Sequence, residues 1–236
     1  MKLKKLFFIS FTILLVFLIY LATVDKKVYY LNLGDSIAMG VNSYKVKGQG
    51  YDNYIIKYLK KEEKLEKYIN NFNQKDLRIT DLYNMIDNNY EIRLHNRSQN
   101  IKNTLIKADI VTLAITNDDF YQKLNSNYNL NELYELVDSY KNDMENLILL
   151  IKKYCKEDII MVGYYNPYNN EKSEKIVTYM NKKMIDLAAE NEIKYINLQN
   201  IINSKYVLNS NDYHISNEGY ELIGEEIIKI IKKDIL

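Results

Sequence analysis

A serine follows a short apolar run in the stretch YYLNLGDSIAMG, which covers residues 29–40. Ser36 stands directly after Gly34 and Asp35 at the end of a predicted strand, and Gly40 follows closely in a chain with only 7 glycines. Because α/β proteins build their sites at the carboxyl ends of parallel strands, this position makes Ser36 a candidate nucleophile. The alternative interpretation is that Asp35 or Ser36 caps a following helix.

A serine hydroxyl is a weak nucleophile until a base removes its proton, and the chain offers two histidines. His214 lies in the loop SNDYHISNEGY, directly before the last predicted helix, where Ser216 is a candidate N-cap. A loop that a helix holds without covering it suits a catalytic base, although a histidine that merely packs on that helix is the alternative. His95 lies in a polar stretch without a motif, and we interpret it as solvent-facing.

The ring of a catalytic histidine needs an acceptor for its Nδ1–H, and two residues before His214 qualify. Asn211 stands three positions before it and Asp212 two positions before it. In an extended loop, side chains two apart lie on the same side of the chain. We favour Asp212 because a charged acceptor stabilises an imidazolium more strongly than an amide does, and Asn211 stays open as the other orienting residue.

The oxyanion that forms after nucleophilic attack needs hydrogen-bond donors, usually backbone N–H groups and an amide side chain. Asn117 comes directly after a predicted strand in LAITNDDF and is therefore expected at the same sheet edge as Ser36. It would serve equally well as a plain turn or cap residue.

Apolar runs of strand length alternate with longer amphipathic segments from residue 27 onward, which predicts a parallel sheet covered on both faces. The chain shows no repeat or linker here, so we expect one domain over residues 27–236. The predicted strands cover residues 28–33, 109–115, 159–164 and 194–198. The predicted helices cover residues 51–66, 80–88, 131–154, 173–190 and 218–233.

Composition narrows the classes of partner. A formal net charge of +1 offers no electrostatic reason to expect a nucleic-acid partner. Cys155 is the single cysteine of the sequence, which rules out an internal disulfide and a cysteine metal cluster. It lies in an apolar helical stretch, and we interpret it as a buried, inert thiol.

The N-terminal segment predicts attachment to a membrane. Lys2, Lys4 and Lys5 precede the 19 uncharged residues of Leu6–Val24, enough for one transmembrane helix. The cleavage signal after this run is weak, so we favour an uncleaved signal anchor formed by residues 1–26 over a signal peptide. The lysines orient the segment so that the remaining chain lies outside the cytoplasm, at the cell membrane, or secreted if cleavage occurs.

Taken together, the blocks LGDSIAMG, ITND and NDYHISNEGY resemble those of the GDSL or SGNH hydrolase family in order and spacing, over nearly all of residues 28–236. The stretches GQGYDNYI (48–55) and NNFNQKDLRITDL (70–82) resemble its bacterial branch. The resemblance implies a flavodoxin-like three-layer α/β/α sandwich and a serine esterase or lipase that uses no metal or cofactor. It implies that Ser36 is the nucleophile, His214 the base and Asn117 the oxyanion amide.

The sequence departs from the family pattern at three positions. Asp76 stands where the family has a glycine whose N–H completes the oxyanion hole with Ser36 and Asn117, and its carboxylate would oppose the oxyanion. Ile115 replaces a second glycine, and Asn211 stands where the family has the aspartate of Asp-x-x-His. We expect a membrane-anchored esterase acting on acyl or O-acetyl esters; the alternative is an impaired surface domain that binds glycan or a protein partner.

Overall fold

The structure is a computed structural model that describes residue 11 and residues 27–94, 97–115, 118–168, 170–209 and 212–236. The strands are β1 (Val28–Gly34), β2 (Leu65–Ile69), β3 (Glu91–Leu94), β4 (Arg97–Asn100), β5 (Ile110–Ala114), β6 (Asp158–Val162) and β7 (Lys194–Ile196). The helices are α1 (Tyr51–Lys61), α2 (Ile79–Asp87), α3 (Ile101–Lys107), α4 (Asp118–Leu124), α5 (Leu130–Tyr154), α6 (Glu171–Glu190) and α7 (Asn217–Asp234), with short 3₁₀ helices at Leu198–Asn200 and Ser204–Tyr206.

Five strands form one parallel sheet in the order β2-β1-β5-β6-β7, and β3 and β4 form a separate antiparallel pair. The predicted α/β fold with a central parallel sheet is therefore confirmed. The order is that of flavodoxin-like folds, in which the chain moves outward from β1 to β2 and then returns to the other side of β1. β1 and β5 flank this reversal and are buried along their whole length.

The helices fall into two layers. Crossovers between parallel strands are right-handed, so the reversal at β1 places the crossover helix α1 and the later crossover helices on opposite faces, while α7, which follows the last strand, is free to join α1. The packing agrees with this, since α1 packs against α7, while α5 packs against α2, α3 and α6.

The first predicted helix is wrong at its C-terminal end. The pattern predicts a helix over residues 51–66, but α1 ends at Lys61 and β2 begins at Leu65. Glu63 takes a left-handed backbone with φ +56, and the N–H of Lys64 donates to the Leu59 carbonyl at 2.8 Å. This closes the helix with the Schellman pattern that usually requires glycine at the left-handed position.

The predicted membrane span over Leu6–Val24 lies, apart from residue 11, outside the described residues. Among the helices that the structure does describe, none is both long and apolar enough to cross a membrane.

Candidate active site

Ser36 lies in a tight turn that follows β1. Gly34 ends the strand with φ +149, and a Cβ atom there would lie 1.8 Å from the Ala114 carbonyl oxygen of β5. The strand can therefore approach β5 only with glycine at this position. The Asp35 carboxylate accepts the N–H of Ile37 at 3.0 Å, which bends the chain directly around Ser36. Asp35 and Ser36 are both fully buried.

His214 and Asp212 form a buried pair. Nδ1 of His214 lies 2.7 Å from Oδ1 of Asp212, and both side chains are almost completely shielded from solvent. The same carboxylate oxygen accepts the backbone N–H of Tyr213 at 2.7 Å and that of His214 at 3.3 Å. Three donors thus converge on Oδ1, which fixes the ring with its Nδ1 toward the carboxylate.

The charge state of Asp212 follows from these contacts. Burial by itself would raise the pKa of the carboxyl, but the hydrogen bond to His214, the charge of that ring and the backbone N–H groups of His214 and Tyr213 outweigh it. The pKa of Asp212 therefore lies below its ordinary value, and the group is an anion at neutral pH. An anion at Nδ1 stabilises the imidazolium that forms when Nε2 takes up a proton.

Nε2 of His214 is buried and has no hydrogen-bond partner within the described residues. Buried polar atoms are nearly always paired, so an orphaned one at a cleft is a position for a substrate, a nucleophile or a water molecule. Asp212 thus holds Nδ1 of the ring, while Nε2 is left for proton transfer.

Two contacts connect the Ser36 turn to the His214 segment. The Ser36 carbonyl accepts the N–H of Val41 at 2.9 Å, and the Val41 carbonyl in turn accepts the hydroxyl of Tyr220 in α7 at 2.6 Å. Ser43 Oγ donates to the His214 carbonyl at 2.7 Å. The chain that leaves Ser36 is therefore bonded to the loop and helix that carry His214.

Helix capping and aromatic stacking hold the His214 loop in place. The predicted cap is confirmed, because Ser216 Oγ accepts the N–H of Gly219 at the start of α7. The ring of Tyr213 stacks on the His214 ring at 4.4 Å between centroids and on the Tyr121 ring at 5.0 Å. The hydroxyl of Tyr165 also bonds to the Tyr213 carbonyl.

The loop after β2 carries Asp76, which lines a cleft that also contains the His214–Asp212 pair. Its backbone has φ +58, in the left-handed region where glycine is favoured, so this aspartate adopts a conformation that glycine reaches more easily. Close by, the side-chain oxygen of Asn73 accepts the N–H of Gly34 at 2.9 Å, which ties this loop to the end of β1.

A polar cleft of about 410 Å³ opens at the His214–Asp212 pair. Most of the residues that line this cleft were not predicted from the sequence, because exposed lysine, glutamine and asparagine side chains belong to no recognisable motif. Burial, and after it the charge of Asp212, raise the pKa of Tyr168 to about 12, so this hydroxyl is neutral. The lining residues are Lys45, Lys75, Asp76, Gln122, Asn125, Tyr168, Asp212, Tyr213 and His214.

The remaining candidates separate into two groups. Asn117, Asn211 and His95 lie outside the described residues. Ile115 is buried beside β5 and its carbonyl accepts the Tyr164 hydroxyl at 3.1 Å, so it belongs to the core. Cys155 is buried as predicted, and burial raises the pKa of its thiol.

A flavodoxin-like α/β fold with a buried His–Asp pair at the carboxyl edge of its sheet, next to a serine turn, defines a class of serine hydrolase. A model of the family described as GDSL-like Lipase/Acylhydrolase matches residues 30–227. The chain belongs to this family and is a serine ester hydrolase.

Solved structures share this fold, and a curated protein is similar in sequence. The lipase Lip_vut3 from a goat rumen metagenome is 19% identical, with a TM-score of 0.72 over 85% of this chain and 95% of that chain. Axe2, an acetylxylan esterase from Geobacillus stearothermophilus, is 18% identical, with a TM-score of 0.63 over 88% and 95%. The uncharacterized protein YpmR of Bacillus subtilis (strain 168) is 21% identical over 86% of this chain and 80% of its own length.

Proposed function

We propose that the chain hydrolyses short acyl esters of a polar alcohol through an acyl-enzyme on Ser36. Ser36 Oγ attacks the ester carbonyl carbon while Nε2 of His214 takes its proton, and Asp212 stabilises the resulting imidazolium. The alcohol leaves with the proton from Nε2. A water molecule then attacks the acyl-enzyme, gives its proton to Nε2 and releases the acid, after which the proton returns to Ser36.

The observation that carries this proposal is the buried 2.7 Å contact between His214 and Asp212, with Nε2 of the ring left for a proton donor. The solved structures of Axe2 add support, since they include variants described as catalytic mutants at a serine, a histidine and an aspartate. For the oxyanion we assign the N–H groups of Ser36 and Asp76 and the side-chain amide of Asn117.

The lining of the cleft supports a short acyl group. Each buried CH₂ of an acyl chain contributes about 0.8 kcal/mol when apolar surface receives it. Among the described residues that line the cleft there is no aliphatic side chain, and the walls consist of charged, amide and tyrosine groups. An acetyl-sized ester on a carbohydrate hydroxyl fits such walls better than a lipid, in keeping with the acetylxylan substrate that the name of Axe2 records.

The test of the nucleophile uses a fluorophosphonate probe and p-nitrophenyl esters of increasing chain length on the full-length protein. We expect wild type to be labelled and to prefer the acetate ester, and Ser36→Ala to lose both labelling and hydrolysis while its circular dichroism is unchanged. Equal labelling of Ser36→Ala would refute the assignment. A folded wild type that is never labelled would favour a binding domain for glycan or protein.

We also propose that residues 1–26 anchor the domain to the cell membrane with the cleft outside the cytoplasm. The sequence supports this, since three lysines precede 19 uncharged residues. In intact bacterial cells, the full-length protein should sediment with the membranes and be digested by protease added outside. Release of a shortened protein into the medium would show cleavage instead.

A further inference from the structure

An asparagine lies in the middle of β1, where neighbouring side chains are apolar. Asn32 is fully buried, and its amide is hydrogen-bonded to Ala38, Tyr51 and Thr112. Burying an amide is costly unless it is fully bonded, and an apolar residue of similar shape would fill the same space without that cost. The bonds of Asn32 therefore point to a role other than filling the core.

The carbonyl groups of the Ser36 turn show what this role is. The turn begins with residues 35–38. The carbonyl groups of the first three of these residues each accept a hydrogen bond from a backbone N–H group. The fourth, that of Ala38, accepts the side-chain Nδ2 of Asn32 at 2.8 Å. The three backbone bonds run from Met39, Val41 and Gly40 to the carbonyls of Asp35, Ser36 and Ile37 at 2.9 to 3.1 Å.

The orientation of the Asn32 amide is fixed by its other partners. Oδ1 accepts the hydroxyl of Tyr51 from α1 at 2.6 Å and Oγ1 of Thr112 from β5 at 3.1 Å. Burial raises the pKa of Tyr51, so that hydroxyl keeps its proton and acts as the donor. With two donors on Oδ1, the Nδ2 group is the one that faces Ala38.

We propose that Asn32 is a positioning residue, which holds the Ser36 turn in the conformation that presents the serine to His214. It contacts no reacting atom and acts through the Ala38 carbonyl, two residues after Ser36. The inference rests on the proposed function of Ser36. A displacement of about 1 Å at a reacting group lowers catalysis by about a hundredfold, so a turn with one unpaired carbonyl should react slowly.

The test separates positioning from stability with two matched variants of the full-length chain. The double variant Asn32→Leu/Tyr51→Phe replaces the amide and the Tyr51 hydroxyl by apolar groups of similar size, while Thr112 keeps the Tyr30 hydroxyl as its partner. The control Tyr51→Phe keeps Asn32, its bond to Ala38 and the Thr112 hydroxyl that donates to Oδ1. Both are compared with wild type for urea unfolding, for kcat and KM on p-nitrophenyl acetate, and for hydrogen exchange of residues 36–41.

We expect the two variants to unfold at similar urea concentrations. The control should keep kcat within about threefold of wild type, whereas the double variant should lose at least about thirtyfold in kcat with KM within about twofold. The amides of residues 39–41 should exchange at least about tenfold faster in the double variant than in the control.

Equal kcat in the two variants would overturn the inference. If wild type shows no esterase activity, the proposed function fails, and hydrogen exchange alone then decides whether Asn32 holds the turn. If the double variant does not fold, Asn32→Ala takes its place, because it removes the amide donor without adding bulk to the core. Wild-type kcat and exchange in folded Asn32→Ala would likewise refute the role.

Discussion

The Asp212–His214 segment and the loop that carries Asp76 line the same cleft from two sides. On the first side, a buried carboxylate lies 2.7 Å from the His214 ring and is held by two further backbone donors. On the second side, an exposed aspartate occupies a left-handed backbone conformation, φ +58, that favours glycine. In the mechanism that we propose, the first side supplies negative charge where an imidazolium forms, and the second side sets the same charge near the developing oxyanion.

Proton transfer and oxyanion stabilisation therefore tolerate sequence change differently. Proton transfer depends on side chains, so His214 needs a partner such as Asp212 within hydrogen-bond distance. The oxyanion hole that we propose uses the backbone N–H of Asp76, and a backbone donor remains when glycine is replaced by another residue. An aspartate in place of glycine at position 76 would then affect the oxyanion through its charge and through backbone strain, because the N–H donor is still present.

Replacing the charged partner of His214 should have the largest effect. In serine proteases the corresponding exchange to asparagine lowers kcat about ten-thousandfold, because the ring loses its tautomer and the charge that stabilises the imidazolium. We expect Asp212→Asn to lower kcat for p-nitrophenyl acetate by at least about a hundredfold, with little change in KM.

Asn211→Ala is the matched comparison, since it alters the neighbouring residue that the family pattern would select. It should lower kcat far less than Asp212→Asn does. If the two effects are reversed, Asn211 orients the ring and the contact between Asp212 and His214 is structural.

Asp76 lies on the other side of the cleft, and Asp76→Gly should raise esterase activity. Removing a carboxylate a few ångströms from the oxyanion is worth ~1 kcal/mol in a solvated site, or about a fivefold gain in kcat. Asp76→Asn should give most of this gain, since it removes the charge and keeps the side chain. Glu63→Gly is the control, because Glu63 is also exposed and left-handed, with φ +56, but precedes β2 at the opposite edge of the sheet.

Glu63→Gly should leave kcat unchanged while it relieves the same kind of backbone strain. A fall in kcat for both Asp76→Gly and Asp76→Asn would contradict this account. It would mean that the carboxylate binds substrate, and that the aspartate is an adaptation of the cleft.

The fold was predictable where burial dominates the pattern. β1, β5, β6 and β7 lie within two residues of their predicted bounds, because strands buried in a parallel sheet are short apolar runs. β2 was missed, since an edge strand with exposed side chains reads LEKYI and continues the pattern of the preceding helix. The separate β3–β4 pair and the short helices α3 and α4 were missed too.

Glycine marks none of three helix ends, although only the end of the first helix was misplaced and the predicted ends at residues 88 and 190 lie within one residue of those observed. α1, α2 and α6 all end with a left-handed residue other than glycine, namely Glu63, Asn89 and Glu192. In each case the next N–H reaches back five residues to a helix carbonyl, at 2.8 to 3.0 Å. A sequence rule that looks for glycine after a helix finds none of these ends.

In the site, motif spacing identified Ser36 and His214 as candidates and, taken alone, selected Asn211 as the orienting residue. Charge and the alternation of side chains in an extended loop favoured Asp212, which is the residue that contacts the His214 ring. The contact of Asn32 with Ala38 could not be predicted from the sequence. It joins a strand residue to a turn six positions later, and no local pattern marks it.

The smallest effect concerns acid stability and tests whether the Asp212–His214 pair also stabilises the fold. The pKa of Asp212 is lowered in the folded chain relative to about 3.9 in the unfolded chain. A group with a lowered folded pKa contributes stability above its unfolded pKa, and that contribution is lost as pH falls through the folded value. In Asp212→Asn the contribution is absent at every pH. The urea midpoints of wild type and Asp212→Asn should therefore differ most at neutral pH, and the gap should narrow as pH falls from about 4 toward 2. A difference in urea midpoint that stays constant over this range would show that folding does not lower the pKa of Asp212. The charge of Asp212 would then serve catalysis at His214 without stabilising the fold.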